Sequence, residues 1–397
     1  MLTITQKIMH PLKLFFRDSR AVGISLIVST IISLILSNNN TTNHWYQKIW
    51  SWNFSGKIAH HFQIGSFNFP NSPVALINDF LMAIFFFLAG MEIKRELTNG
   101  ELASRKKAVL PIAAAVGGMV TPALIFSIFN WGTSYKNGWA IPMATDIAFT
   151  LGVASLLGKK IPLSLKVFLT ALAIIDDLGA IVVIALFYGG HIHLFYLSIV
   201  IVIMLLLWIF NKFSIQFGWF YWLLGFILWY CMFNSGIHAS VAGVVFAFFI
   251  PVSLLNKLEL KLHFPVYFII IPIFALANTA ITIPPHIEHQ MNQTLSWGII
   301  IGLLIGKPLG IVTASFIMVK LKWAQLPLNT NWYKMAGAGI LAGIGFTMSI
   351  FLSTISFVNT IDQNIAKISV LITSILAMVV GFCWFLLQFK SSTIHYK

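Results

Sequence analysis

Acidic residues are scarce in this chain. Asp and Glu together number 11 in 397 residues, and charged residues of both signs make up 9%, against roughly 25% in an ordinary soluble domain. So little charge, with 58% hydrophobic residues and a mean hydropathy of +0.87, excludes a soluble globular protein and identifies an integral membrane one. Cysteine is nearly absent too. Cys231 and Cys383 lie far apart in apolar segments, so no disulfide is expected and both read as small buried hydrophobes. No polar stretch is long enough to hold a separate soluble domain. No Gly-X-X-X-X-Gly-Lys-Ser/Thr phosphate loop occurs, which argues against a primary pump. The first apolar run, 21–37, meets Asn38-Asn39-Asn40 without a small-residue cleavage pattern, so it reads as an uncleaved span rather than a signal peptide.

What is present is a series of about twelve apolar stretches: 21–37, 74–91, 108–129, 139–157, 164–188, 194–210, 219–233, 235–251, 266–280, 295–319, 335–357 and 366–389. At ~20 residues per span they consume most of the chain. The expected fold is an all-α polytopic membrane protein, one transmembrane transporter domain over residues 1–397. A net charge of +14 would suggest nucleic acid in a soluble protein, but here its placement reports topology. With the N-terminus inside, the outer loops hold only Lys48, Lys57 and Lys136, while Lys307 and Lys367 fall within or beside spans. The other Lys and Arg fall on the cytoplasmic side, among them Lys7, Lys13, Arg17, Arg20, Lys94, Arg95, Arg105, Lys106, Lys107, Lys159, Lys160 and Lys166. This positive-inside bias puts both termini in the cytoplasm and makes the bilayer, not nucleic acid, the partner.

In the outer loop 38–73, the polar-aromatic run from His44 to Gly56 has partial alternation and a Ser-Gly turn signal, which suits a β-hairpin. Two spans are interrupted by helix breakers. The fourth contains Pro142 before Met143-Ala144-Thr145-Asp146, and the eleventh carries Gly337, Gly339, Gly343 and Gly345 before Phe346-Thr347-Met348-Ser349. They are the middle members of two trios, spans 3–5 and 10–12, that start from opposite sides of the membrane. Broken segments at corresponding positions of two halves are the sequence mark of a transporter binding site built on inverted repeats.

Ionisable residues converge on the same depth. Asp176 lies about nine residues beyond Val167, hence ~13 Å into the membrane at 1.5 Å per residue. Asp177 follows it on an adjacent helix face, so the two carboxylates can serve different partners. Lys307 is central in 295–319, and Asp146 is mid-span beside Thr145. A buried salt bridge kept only for packing needs matched charge, and one Lys does not neutralise three carboxylates. The surplus negative charge suits a cation site or proton relay, with Asp177 and Asp176 as candidate ligands for a transported Na+ and the Thr145 hydroxyl as a further hard oxygen. Adjacent carboxylates titrate as a coupled pair. A cation entering between them competes with protons for the same oxygens, and such competition at an alternately exposed site suffices for antiport. A cation channel would also line a path with carboxylates, but neutralising charge and two interrupted spans suit alternating access. An intramembrane aspartyl protease would pair carboxylates from two spans, yet the Gly-X-Gly-Asp context is missing because Ile174-Ile175 precede Asp176. No enzyme activity and no cofactor are expected. His60 with His61, and His191 with His193, read as loop histidines without acidic or Cys neighbours.

At these residues the chain resembles the NhaA-type bacterial sodium/proton antiporters. The likeness runs in order through Gly90-Met91-Glu92-Ile93-Lys94-Arg95-Glu96-Leu97, Ala144-Thr145-Asp146-Ile147-Ala148-Phe149 and Ala173-Ile174-Ile175-Asp176-Asp177-Leu178-Gly179-Ala180. It continues through Asn234-Ser235-Gly236-Ile237-His238-Ala239, Gly306-Lys307-Pro308-Leu309-Gly310 and Gly343-Ile344-Gly345-Phe346-Thr347-Met348-Ser349. The resemblance implies twelve helices with the fourth and eleventh unwound and crossing, in a bacterial inner membrane. It also implies electrogenic exchange of Na+ or Li+ for protons. By position, Asp177 would be the main cation ligand and Asp176 a gate carboxylate partnered by Lys307. Asp146 and Lys307 would balance the ends of the broken helices, and Asp79 would line the ion path. Glu92, Arg95, Glu96, Glu259 and His263 would form a pH-responsive cluster, with His238 at another pH-linked position. Leu260 follows Glu259 where the family often has His, a departure that bears on pH control rather than transport. A homodimer is compatible with the outer hairpin.

Overall fold

The computed structural model describes residues 19–56, 61–64, 67–213, 215–284 and 287–394. Lys7, Lys13, Arg17, Lys57 and His60 lie outside the described residues. The helices follow the apolar runs: α1 (Ser19–Asn38), α3 (Pro73–Asn99), α4 (Arg105–Phe129), α6 (Leu163–Phe187), α7 (Leu194–Lys212), α8 (Trp219–Ser235), α9 (Val241–Phe248), α10 (Val252–Asn278), α12 (Thr294–Lys320) and α15 (Thr360–Ile394). Two short helices, α2 (Asn43–Ser51) and α11 (Ile287–Met291), complete the regular connections. The interrupted spans are a 3-10 helix Ser134–Met143 followed by α5 (Ile147–Leu156), bent by 43°, and α13 (Trp332–Ala342) followed by α14 (Phe346–Ser356), bent by 47°. Among the described residues, eight unbroken helices and two bent pairs are long and apolar enough to cross a membrane. The expected eighth span, 235–251, instead contains only the eight-residue α9, because Gly236 takes a left-handed φ of +90° and ends α8. The ninth begins earlier than 266: hydropathy places its start at the last apolar run, whereas the more polar Val252–Pro265 is also helical. Of the two cysteines, Cys231 is buried as expected, but Cys383 is exposed on α15, where an apolar span turns a face outward.

The hairpin sits elsewhere in the outer loop than the alternation suggests. Residues 43–51 form α2, because Tyr46 buries one helical face and meets Trp50 one turn on, edge to face at 5.8 Å. The Tyr46 hydroxyl lies 3.0 Å from both Ser33 Oγ and the Leu276 carbonyl. The strands are β1 (His61–Ile64) and β2 (Phe67–Pro70), antiparallel with Phe62 opposite Phe69. Asn68 ties β2 to α8 through a 3.0 Å bond from its Nδ2 to Asn234 Oδ1.

The chain divides into two compact units. Among the described residues, one comprises those of 19–28, 101–177 and 287–394, the other those of 29–100 and 178–284. In the first, α4 and α12 touch backbone to backbone: a Cβ on Gly310 would collide with the Gly117 carbonyl oxygen, and one on Gly117 with that of Gly310. Such small-residue contacts are how membrane helices pack when lipid removes the hydrophobic drive between them. Near this contact α12 widens into a π-turn at Gly302–Gly306. Pro308 lacks an N–H and its ring crowds the preceding turn, and a π-turn relieves both. The wide turn delivers Lys307 to the interior, where it is fully buried. In the second unit, α3 and α9 approach as closely at Gly243, whose added Cβ would strike the Ala83 carbonyl oxygen.

Candidate functional site

Breaking a helix frees backbone groups that water does not reach inside a bilayer, so each needs a partner from the protein. In the first unit the two interrupted spans satisfy one another. The Asp146 N–H donates to the Ile344 carbonyl at 2.7 Å. The Thr145 hydroxyl lies 2.9 Å from the Ala342 carbonyl, and Thr150 donates to that of Leu341 at 3.1 Å. Ser349 reaches in the other direction, donating to the Ile141 carbonyl of the 3-10 helix at 2.7 Å. Lys307 Nζ donates to the Met143 carbonyl at the end of the same 3-10 helix.

The opposite ends carry the complementary charge. Asp146 Oδ1 accepts from the Phe149 N–H at 3.0 Å, capping α5. Its Oδ2 accepts from the Thr347 N–H at 3.1 Å and the Thr347 hydroxyl at 2.5 Å, capping α14. One carboxylate thus meets two helix N-termini, and one ammonium meets a C-terminus, each the sign that the helix dipole favours. The Phe346 N–H finds Ser374 Oγ at 3.1 Å.

Asp176 lies beside this crossing. Its Oδ2 accepts from Thr145 Oγ1 at 2.7 Å and pairs with Lys307 Nζ at 2.9 Å, and both charged side chains are fully buried. Its Oδ1 is buried and makes no hydrogen bond among the described residues. Asp177, next along α6, is 4% exposed against 0% for Asp176. Of the residues that the sequence placed at one depth, Asp176 and Lys307 touch, and Asp146 joins them through its chain neighbour Thr145, whose hydroxyl meets Asp176. The Thr145 hydroxyl links Asp176 to the end of α13. Among the described residues no group of three or more His, Cys, Asp and Glu side chains converges as a resident metal site.

The remaining candidates lie in the second unit. Asp79 sits in a π-turn of α3, Ile77–Leu81. Its backbone carbonyl accepts from Trp229 Nε1 at 2.8 Å, and its Oδ1 is 3.8 Å from His238 Nε2. His238 Nδ1 shares a hydrogen bond of 2.8 Å with Ser240 Oγ. Arg95 bridges Glu259, at 3.0 Å, and Glu96, at 3.1 Å, and Tyr267 bonds Glu92 in the same cluster. His263 shares α10 with Glu259 but packs its ring on Tyr267, 4.8 Å between centroids. Lys94 donates to the carbonyls of Phe248 and Ile250 at and beyond the end of α9.

Sequence reasoning assigned no role to Thr347, Ser349 or Thr150. The available signal was position: a hydroxyl within the first turn after a helix break is placed to satisfy freed backbone groups.

Two interrupted helices exchanging backbone partners around a buried carboxylate–lysine pair define a class, the polytopic membrane transporters with discontinuous spans. Residues 13–385 match the model of the family described as Na+/H+ antiporter 1. The chain is 46% identical to Na(+)/H(+) antiporter NhaA 2 of Flavobacterium johnsoniae over 93% of its own length and 90% of the relative's. It is 43% identical to Na(+)/H(+) antiporter NhaA of Cytophaga hutchinsonii, covering 97% of both chains. With Na(+)/H(+) antiporter NhaA of Escherichia coli it shares 41% identity over 97% of its length and 100% of the relative's. The chain belongs to this family of sodium/proton antiporters, multi-pass membrane transporters rather than catalytic enzymes.

Proposed function

We propose that Asp177 and Asp176 bind the transported Na+ or protons in alternation, with Thr145, Asp146 and Lys307 holding the site in shape. Support comes from the division within Asp176: Oδ2 is committed to Thr145 and Lys307, while Oδ1 is buried with no hydrogen bond among the described residues and offers lone pairs to a hard cation. Asp177 is the principal ligand and Asp176 the gate, exchanging Lys307 for the ion. Sodium entering displaces protons from the carboxylates, and its release lets protons return, so one site opened alternately to either side couples the two fluxes. Unequal charge in the two loaded states makes the exchange electrogenic.

The whole chain works as a single transport domain in the bacterial inner membrane with both termini cytoplasmic, exporting Na+, or Li+, for protons. Asp79 lies on the ion path. Glu92, Arg95, Glu96, His238, Glu259 and His263 adjust activity to pH, with Leu260 in place of a histidine altering that response. The protein needs no cofactor, and two copies assemble as a homodimer through the outer hairpin.

The test is sodium-driven proton movement in sealed vesicles scanned from acid to alkaline pH. Asp177→Asn is expected to abolish it and Lys307→Ala to weaken it or alter charge movement. Full activity in Asp177→Asn refutes the site, and sodium conductance without proton movement makes the protein a channel.

A further inference from the structure

Five charged side chains are buried among the described residues: Asp146, Asp176, Asp177, Lys307 and Lys367. The first four gather at the crossing. Lys367, on α15, has no part in it, yet it is only 7% exposed and makes no hydrogen bond or ion pair among the described residues. A lysine side chain largely buried within an apolar span is costly enough to require an explanation.

Its position follows from helix register. Gln363 Nε2 donates to the carbonyls of Thr354, at 3.0 Å, and Phe357, at 2.7 Å, at the C-terminal end of α14. Ser374 Oγ accepts from the Phe346 N–H at the N-terminal end of α14. The two helices therefore run antiparallel, and 363, 367, 370 and 374 share the face of α15 toward α14. Lys367, one turn from Gln363, is level with the middle of α14. There Ser353 donates to the Ser349 carbonyl and Ser349 to that of Ile141, each at 2.7 Å, a file of buried hydroxyls that ends on the interrupted 3-10 helix.

We propose that Lys367 is a second counter-charge of the cation site, a positioning residue that lowers the affinity for Na+ without touching the ion. With all five groups ionised, three carboxylates face two ammonium groups and leave one net negative charge, the amount that one Na+ balances. Without Lys367 the site carries a surplus of two and holds its ion more tightly. The distance sets the size of the effect. Lys367 lies ~10 Å along α15 from Ser374, which is level with Asp146 through Phe346 and Thr347. A unit charge on the order of 12 Å away, at an effective dielectric of ~20, changes cation affinity by about tenfold.

The inference rests on the assignment of the carboxylates as the ion site, so the experiment separates the two. Wild type, Lys367→Met, Lys367→Gln and Asp177→Asn are reconstituted in sealed phosphatidylcholine–phosphatidylglycerol vesicles. Half-saturating Na+ and maximal rate are read near neutral pH, where the Lys367 ammonium keeps its charge, and folded protein is quantified by size exclusion. Both neutral variants are expected to lower half-saturating Na+ about five- to tenfold with an equal or lower maximal rate. Unchanged half-saturation in both, or loss of folded protein in both, overturns the inference and leaves Lys367 a structural residue. A fully active Asp177→Asn overturns the ion-site assignment instead.

Discussion

Lys307 and Asp176 form an ion pair of 2.9 Å with neither side chain reaching solvent, and each also holds part of the interrupted fourth span. Lys307 bonds the Met143 carbonyl at the end of the 3-10 helix, and Asp176 accepts from Thr145 in the break just before α5 begins at Ile147.

Removing one member of such a pair strands the other. Lys307→Ala leaves a buried carboxylate without its cation, a loss of about 3–5 kcal/mol. Thermal unfolding in detergent should show a large fall for Lys307→Ala and recovery of much of it in Lys307→Ala with Asp176→Asn. Asp176→Asn alone closes the cycle, and losses that simply add in the double variant would mean that the pair is not coupled.

Asp146 and Thr347 can be separated by size of effect. Asp146→Ala strips the acceptor from the N-termini of both α5 and α14, at about 0.5–2 kcal/mol for each cap. Thr347→Val removes one hydroxyl and leaves both backbone caps, at about 1 kcal/mol. Unfolding midpoints should rank wild type, Thr347→Val, Asp146→Ala in falling order, and a reversed rank would place the main constraint on the hydroxyl.

Gly310→Ala should be among the most damaging of small additions, because its Cβ would collide with the Gly117 carbonyl oxygen of α4. Gly23→Ala is the internal control, since nothing lies within 4 Å of the added methyl and helical Ala is favoured over Gly. Folded yield after membrane extraction should collapse for the first and hold or rise for the second.

Arg95→Gln tests the cluster in the second unit. The Arg95 side chain is 36% exposed, so its two ion pairs add less than about 1 kcal/mol and the protein should remain folded. The expected change is a displaced pH profile of transport with the maximal rate kept, read in the vesicle assay. An unmoved profile would take Glu96 and Glu259 out of pH control.

Much of this was legible in the sequence, for physical reasons that differ by feature. Apolar runs marked the spans because the bilayer demands them, and Pro142 with Gly343 and Gly345 marked the breaks because those residues do not sustain a helix. Asp176 and Lys307 stood out by the cost of burying charge. Other features were hidden. The helix at 43–51 escaped because its aromatic and polar residues alternate for part of a strand period, while the contact that fixes it, Tyr46 to Ser33 and Leu276, is tertiary. The short α9 escaped because hydropathy counts apolar residues and does not see the left-handed turn at Gly236. The partners of Thr150, Thr347 and Ser349 belong to the other interrupted span, some 190–210 residues away, and no local pattern reports them.

The double cap by Asp146 has a mechanical consequence. A carboxylate bonded to the first turns of both α5 and α14 leaves no slack for one to travel without the other, since every partial displacement would expose an N–H to hydrocarbon. The two half-helices are riveted to one another at their first turns, so a displacement of either one carries the other with it.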